Sequence, residues 1–424
     1  MDITKVTPME TRVYYGEYTL RHWFNLMLNR GICLPEYQRS FVWDEADVRR
    51  LINSFDTGQF VQPVTIAHYK DEDGEQNLIL DGQQRLTSIL LAYLGYMPIK
   101  EKFDSVDVNL ATGDDSAEDE QPVSMEWTYN ILLKKSPKEN SVSQIKSRLQ
   151  ADHRYSLMEI LTKKDLDDFY DKTFLGFSFI IPMSSDGSET QRYYSTLFRN
   201  MNYLGKKLSP LESRRSLYFM NREYKNFFDG RLQNNEDILC NIRILENMQP
   251  KKIDFVRYLS TIAQYVGVGK FNKVLLGYSA YGSRESYYAD FVSYMVGLEQ
   301  ENRKDKFDSF DVNRIFPNQE WCARFVYVHN FLEQNKSHLG LDEKTTSFTS
   351  WIDADYWLYG LLYWVVFMGK ILSNEGELIT SIRNEVTNKR NPMKNSDYVK
   401  NPNRLGNLRD RMECSIKLFG DYAI

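Results

Sequence analysis

The run Leu80-Asp81-Gly82-Gln83-Gln84-Arg85-Leu86-Thr87 constrains this chain more than any other stretch. Asn77 to Leu80 read as a short apolar strand, and Leu86 to Leu94 as a helix with an apolar face. Between them stand one carboxylate, one glycine, two carboxamides and one guanidinium. Such a set makes a poor turn and a good polar ligand site. Gly82 lets backbone approach a ligand closely, and the free N–H groups opening the following helix favour an anion. Arg85 offers a rigid donor fork suited to phosphate. A well-capped strand-to-helix turn with solvated polar groups would use the same residues.

With 424 residues the chain can hold two or three domains with real cores. Its composition, 42% hydrophobic and 26% charged, is that of a soluble globular protein, and its net charge of -5 excludes a basic nucleic-acid coat. Any nucleic-acid contact must come from a local patch. Cys33, Cys240, Cys322 and Cys414 are isolated, so neither a zinc knuckle nor a disulfide framework is expected. Met1 to Glu10 lack an apolar signal core, and Tyr356 to Met368 is too short and too aromatic to span a bilayer. A cytoplasmic location is expected. The 28 tyrosines, among them Tyr218 and Tyr224 beside Phe227 and Phe228, suit core and helix packing better than base stacking.

Along the chain, Leu20 to Leu28 predicts a helix ending near Asn29-Arg30-Gly31, followed by a short strand at Ile32 to Leu34 that Pro35 stops. Asp44 can cap a helix through Val48, Leu51, Ile52 and Phe55 that Gly58 closes. Val64 to Tyr69 is a second strand, then an acidic turn at 71–75 leads into the Asp81 unit. This alternation describes a small α/β domain. The acidic stretch from Asp104 to Glu120 reads as a solvated loop, and short helices are expected at 127–133 and 145–149 beside a modest lysine cluster. Phe174 to Ile181 is a strand, followed by a helix from Thr190 to Phe198. Ser209-Pro210-Leu211-Glu212 starts another helix, with Ser209 at the N-cap. Candidate helices near 236–247, 254–265, 286–302, 319–334, 353–372 and 374–387 make the rest helical. The expectation is therefore an α+β chain: an α/β domain over 1–230 with a helical insertion at about 100–170, then a helical domain over 231–424.

Two further polar clusters stand out. Pro35-Glu36-Tyr37-Gln38-Arg39, followed by Phe41-Val42-Trp43, places Gln38 and Arg39 just after a strand. Taken alone it is an edge loop pinned by aromatics. Phe198-Arg199-Asn200-Met201-Asn202 precedes Glu212, Arg214 and Arg215, where an intrahelical Glu212–Arg215 pair is the plain expectation.

Together, LPEYQRSFVW at 34–43, ILDGQQRLTSIL at 79–90 and LFRNMNYLGKKLSPLESRRSLYF at 197–219 resemble, in order, the three hallmark blocks of the DUF262 family. These are the ParB-like N-terminal domains of phage-restriction proteins related to the GmrSD and phosphorothioate-sensing systems. The resemblance covers about residues 18 to 225. It implies a ParB/sulfiredoxin-like fold that binds a nucleoside triphosphate, often hydrolyses it with Mg2+, and couples this to restriction of foreign DNA. Carried over, Asp81, Gly82, Gln83, Gln84 and Arg85 are the nucleotide-site signature, with Gln38 and Arg39 lining the same cleft. Asn202, Glu212 and Arg214 match the asparagine, acidic and basic positions of the third block. The chain departs at Leu204-Gly205, where the family usually has Gly-Gly, and at Arg215, where an asparagine is common.

In that frame Arg39 and Arg85 would neutralise phosphate, and Asp81 would hold a divalent cation through water or orient the nucleophile. Gln84 would orient attacking water, so Asp81, Gln84 and Arg85 are the catalytic candidates. A P-loop is absent from the sequence. The NRLGNL run at 403–408 resembles the late part of a His-Asn-His nuclease motif, but its nearest upstream histidine is His338, so a cleaving activity is expected in a partner chain. Residues 381–424 hold nine Lys and Arg against five Asp and Glu, and Arg404, Arg409 and Arg411 are the candidate DNA contacts. A soluble helical surface would look the same. The competing function is a DNA-binding module whose cleft holds nucleotide, or the DNA backbone itself, as a static ligand.

Overall fold

The computed structural model describes residues 10–35, 40–71, 74–103, 127–159, 165–183, 210–218, 221–228, 248–276, 284–298, 307–318 and 320–424, with shorter pieces at 190, 193–194, 197, 231–232, 236–237 and 242–246. The chain divides into two compact units: residues 1–108 with 122–212, and residues 213–424 with 109–121.

In the first unit β1 (Thr11–Thr19) runs into α1 (Leu20–Leu28), then α2 (Glu45–Asp56), β2 (Val64–Asp71), β3 (Gly74–Asp81) and α3 (Gln83–Leu94). After these come β4 (Tyr96–Pro98), α4 (Val142–Ala151), β5 (Tyr155–Leu157), α5 (Leu166–Lys172) and β6 (Phe174–Pro182). The main sheet has the order β1-β6-β2-β3, with β6 parallel to β2 and the other neighbours antiparallel. Trp23 and Phe24 of α1, Val48 of α2 and Leu86 and Leu90 of α3 form one buried core with Val64, Ile66, Ile79 and Leu175 of the strands. Asp44 caps α2 through a reciprocal capping box with Asp47, as its sequence position suggests.

β1 is not signalled by its sequence. TRVYYGEYT lacks the alternation of a half-buried strand, and six of its nine residues are exposed. Backbone pairing creates it: the register runs from Thr11↔Pro182 to Thr19↔Phe174. Gly16 fits because a Cβ there would lie 2.8 Å from the Phe177 ring. The expected strand at Ile32–Leu34 shrinks to one bridge, Cys33 to Leu78, fixed by Cys33 N–H on the Asn77 carbonyl at 2.8 Å.

α6 (Pro210–Tyr218) runs across the boundary at residues 212 and 213, and α7 (Arg222–Phe228) follows in the second unit. Residues 236–247, expected to be helical, contribute strands instead. Here β7 (Arg231–Leu232) pairs with β8 (Glu236–Asp237), and β9 (Arg243–Glu246) sits between β10 (Gln249–Lys252) and β11 (Ser347–Phe348). β9 and the strand that follows it pair antiparallel, and Met248, just before the second strand, takes a φ of 65°. Around this small sheet pack α8 (Phe255–Val268), α9 (Arg284–Met295), α10 (Trp321–Gln334), α11 (Trp351–Leu361), α12 (Glu375–Lys389), α13 (Ser396–Lys400) and α14 (Leu405–Gly420). α11 continues as a π-helical stretch, Leu362–Phe367. The architecture is thus α+β: a mixed α/β unit followed by a largely helical one. No helix among the described residues is long and apolar enough to cross a membrane.

Candidate functional site

The end of β3 and the first turn of α3 form a corner built from the motif. Gly82 is the N-cap of α3 at φ +98°, and a Cβ there would stand 2.9 Å from Val64 Cγ2 on the neighbouring strand. Both the dihedral and the close approach demand glycine. The bend lets Asp81 and Arg85, one helical turn apart, form an ion pair, with the Asp81 side chain 40% exposed and that of Arg85 11%. Arg85 also donates from Nη1 to the Gln62 carbonyl and, at 3.1 Å, to the Pro63 carbonyl. Its fork therefore ties α3 to the segment that opens β2 and orients one oxygen of Asp81.

Gln84 is buried and uses both ends of its carboxamide on one distant segment. Oε1 accepts the Val42 N–H at 2.9 Å, and Nε2 donates to the Ser40 carbonyl at 3.1 Å. The Phe41 N–H meets the Trp127 carbonyl at 2.7 Å, and Lys100 Nζ reaches the Val42 carbonyl at 3.4 Å. Residues 40–42 are thus held on several sides, directly after Gln38 and Arg39, which lie outside the described residues. Gln83 is buried beside Gln84. One turn further, the buried hydroxyls of Thr87 and Ser88 have no hydrogen-bond partner among the described residues. The sequence draws attention to the motif side chains but carries no signal that their partners are backbone groups at 40–42 and 62–63.

The third polar block is described only in part. Asn202 lies outside the described residues, and Glu212 is on α6. Arg214 is 3% exposed, pairs with Asp254 at 2.5 Å and with Glu285, and lies over the Tyr288 ring. Burial alone would depress its pKa, but the two carboxylates raise it, so it stays charged and is fully committed.

The expected DNA-contacting arginines separate. Arg404 is exposed and pairs with Asp397 at 3.1 Å. Arg409 donates from Nε and Nη2 to the Val274 carbonyl at 3.0 and 2.6 Å. Arg411 has a side chain 0% exposed and sits on Asp355 at 2.8 Å. Lys389 and Arg390 pair with Asp410 and Asp353, so much of the positive charge of this region is neutralised locally.

The signal missed by sequence reasoning is the centre of that network. Asp355 accepts from Arg257, from Tyr258 Oη at 2.8 Å and from Arg411 Nε at 2.8 Å, all in the core. Two guanidiniums share one carboxylate, and aromatic faces surround the excess charge: Arg257 lies 4.3 Å from the Trp351 ring centre and Arg411 5.6 Å from that of Tyr398.

As to metal, no group of three or more His, Cys, Asp or Glu side chains able to hold an ion occurs among the described residues. The Asp81 carboxylate alone suits Mg2+ held mainly by water and substrate phosphates, the usual mode for that ion, and does not suit a protein cage.

Residues 20–219 match the family model described as the GmrSD restriction endonuclease N-terminal domain. No curated protein and no solved structure matches the chain. The match begins at α1, spans the Asp81 corner and ends just past α6, so it contains all three polar blocks. Residues 20–219 of this chain are therefore similar to the GmrSD restriction endonuclease N-terminal domain.

Proposed function

We propose that the chain is a nucleoside-triphosphate-binding subunit of a DNA-restriction, phage-defence system, that it hydrolyses the triphosphate, and that nucleotide state is coupled to recognition or cleavage of foreign DNA by a partner nuclease. The family supplies the restriction context. The observation that carries the nucleotide side is the Asp81–Arg85 pair at a glycine-opened strand-to-helix corner. Gly82 bends the chain tightly against Val64 so that the first turn of α3 follows Asp81 directly, and that turn favours the charge of a phosphate. Arg85, spent on Asp81 and two carbonyls, positions the carboxylate, and Arg39 is left as the cation for phosphate. Gln84 positions the chain that carries Gln38 and Arg39. Mg2+, when bound, supplies charge neutralisation at the phosphates; Asp81 is the residue that would hold it through water.

The test is phosphate release from a panel of nucleoside triphosphates with Mg2+. Asp81→Ala is expected to abolish release while the fold survives. Arg85→Lys, which keeps charge but loses the planar fork, is expected to reduce it. Unchanged turnover in both folded variants would overturn the assignment.

One observation favours the static-ligand reading as an alternative: both polar ends of Gln84 are engaged by backbone at residues 40–42, a positioning role in place of the water-orienting one. Calorimetric nucleotide binding without phosphate release would select that reading.

A further inference from the structure

The second unit carries a row of partly exposed aromatic rings that the nucleotide site does not use. Phe271 stacks on Tyr265 with centroids 4.0 Å apart and planes 14° from parallel. Tyr265 meets Tyr363 at 5.6 Å, and Tyr363 meets Trp364 edge-on at 5.0 Å. All four rings are only partly buried. The π-helical stretch puts Tyr363 and Trp364 there together, and Trp364 is held by its Nε1–H on the Ile416 carbonyl at 2.8 Å.

Cations flank the row. Lys270 and Lys273 bracket Phe271 in sequence, Lys370 donates its backbone N–H to the Trp364 carbonyl, and Arg314 reaches Met368 at the end of the π-helical stretch. All four are exposed, and none pairs with a carboxylate among the described residues. Acidic groups near the row include Asp308 and Asp311, the latter capping the turn bearing Arg314, Asp421 beside the glycine that packs on the Trp364 ring, and Glu413, which Lys417 neutralises at 2.7 Å. Phosphates need unpaired cations and unstacked bases need aromatic faces. A protein partner would use the apolar rings but has no need of four unpaired positive charges.

From this we infer that the Phe271–Tyr265–Tyr363–Trp364 row is a binding surface for single-stranded nucleic acid, with the bases against the rings and the backbone along Lys270, Lys273, Lys370 and Arg314. The inference deepens the DNA side of the proposed function and is independent of nucleotide turnover.

The experiment is fluorescence anisotropy of a labelled thymidine homopolymer against the full chain, without nucleotide or Mg2+, over a range of salt. The wild type is expected to bind the single strand more tightly than a duplex, with affinity falling as salt rises. Lys273→Glu/Lys370→Glu is expected to weaken binding roughly tenfold or more and to flatten the salt dependence. Phe271→Ala is expected to lower single-strand affinity severalfold with the salt slope intact. Thermal unfolding of each variant checks the fold. No binding by the wild type, equal affinity for duplex, or variants that bind like wild type would each overturn the surface. Phosphate release measured on the same variants should be unchanged, so failure here leaves the nucleotide site standing and failure there leaves this surface standing.

Discussion

The Gln84 side-chain oxygen accepts the Val42 N–H at 2.9 Å across 42 residues of sequence, so a carboxamide of one polar block fixes the backbone that follows another. Its amide nitrogen holds Ser40 in the same way. Gln84→Ala should cost about 1–3 kcal/mol, because two partly buried backbone groups lose their partner. Urea denaturation measures that cost. In the nucleotide assay the variant should raise KM more than it lowers kcat, since it displaces the chain carrying Gln38 and Arg39. Gln84→Glu, which keeps the acceptor for Val42 and loses the donor for Ser40, should fall between the two. A loss confined to kcat would assign Gln84 to chemistry and not to positioning.

Gly82 and Val64 set a second constraint. Gly82→Ala must hold a side chain at φ +98° and place its Cβ 2.9 Å from Val64 Cγ2. The dihedral alone costs about 1–3 kcal/mol. Trimming the neighbour separates the two contributions: Gly82→Ala/Val64→Ala should be less destabilised than the sum of the single variants, a coupling that a double-mutant cycle reads directly. Strict additivity would mean that the contact with Val64 carries no weight.

The motif corner was legible because Asp81, Gly82 and Arg85 are local: strand end, left-handed bend and helix turn lie within five residues. The capped helix after Asp44 and the strand ending at Pro182 were legible for the same reason. What the sequence hid is what depends on remote backbone. β1 exists through β6, and the expected helix at 236–247 gave way to strands paired with residues up to 348. Charge was hidden likewise. Arg409 and Arg411 stand two residues apart in a basic stretch, yet one caps a carbonyl at 274 and the other is sealed against Asp355.

That difference predicts distinct outcomes for the basic C-terminal stretch. Arg404, exposed and paired only with Asp397, can be reversed to Glu at little cost, within about 0.5 kcal/mol. DNA affinity should then change far less than it does on reversing Lys273 and Lys370. Arg409→Ala should instead loosen the turn at Val274 and show its effect in hydrogen exchange around residues 271–276. Equal and large losses of DNA binding from Arg404→Glu and from the Lys273/Lys370 pair would move the nucleic-acid surface back to this stretch.

Asp355 makes the strongest stability prediction. Burial would raise its pKa, but Arg257 and Arg411 outweigh burial and hold it below the ordinary carboxylate value of about 4. A carboxyl whose pKa is lower in the folded state stabilises the protein above its unfolded pKa. That contribution is lost as pH falls through the folded value, where protonation leaves two guanidiniums without their counter-charge. Asp355→Asn imposes the same loss at neutral pH and should destabilise the chain by about 3–5 kcal/mol. The gap between wild type and variant should be largest at neutral pH and narrow as pH falls below about 4. Arg257→Met/Asp355→Leu/Arg411→Met, which removes all three charges, should recover much of the lost stability, because desolvated charges then no longer need partners. Chemical denaturation of the three proteins at pH 7 and at pH 3.5 decides the matter. A gap that stays constant with pH would show that Asp355 acts through packing and not through its charge.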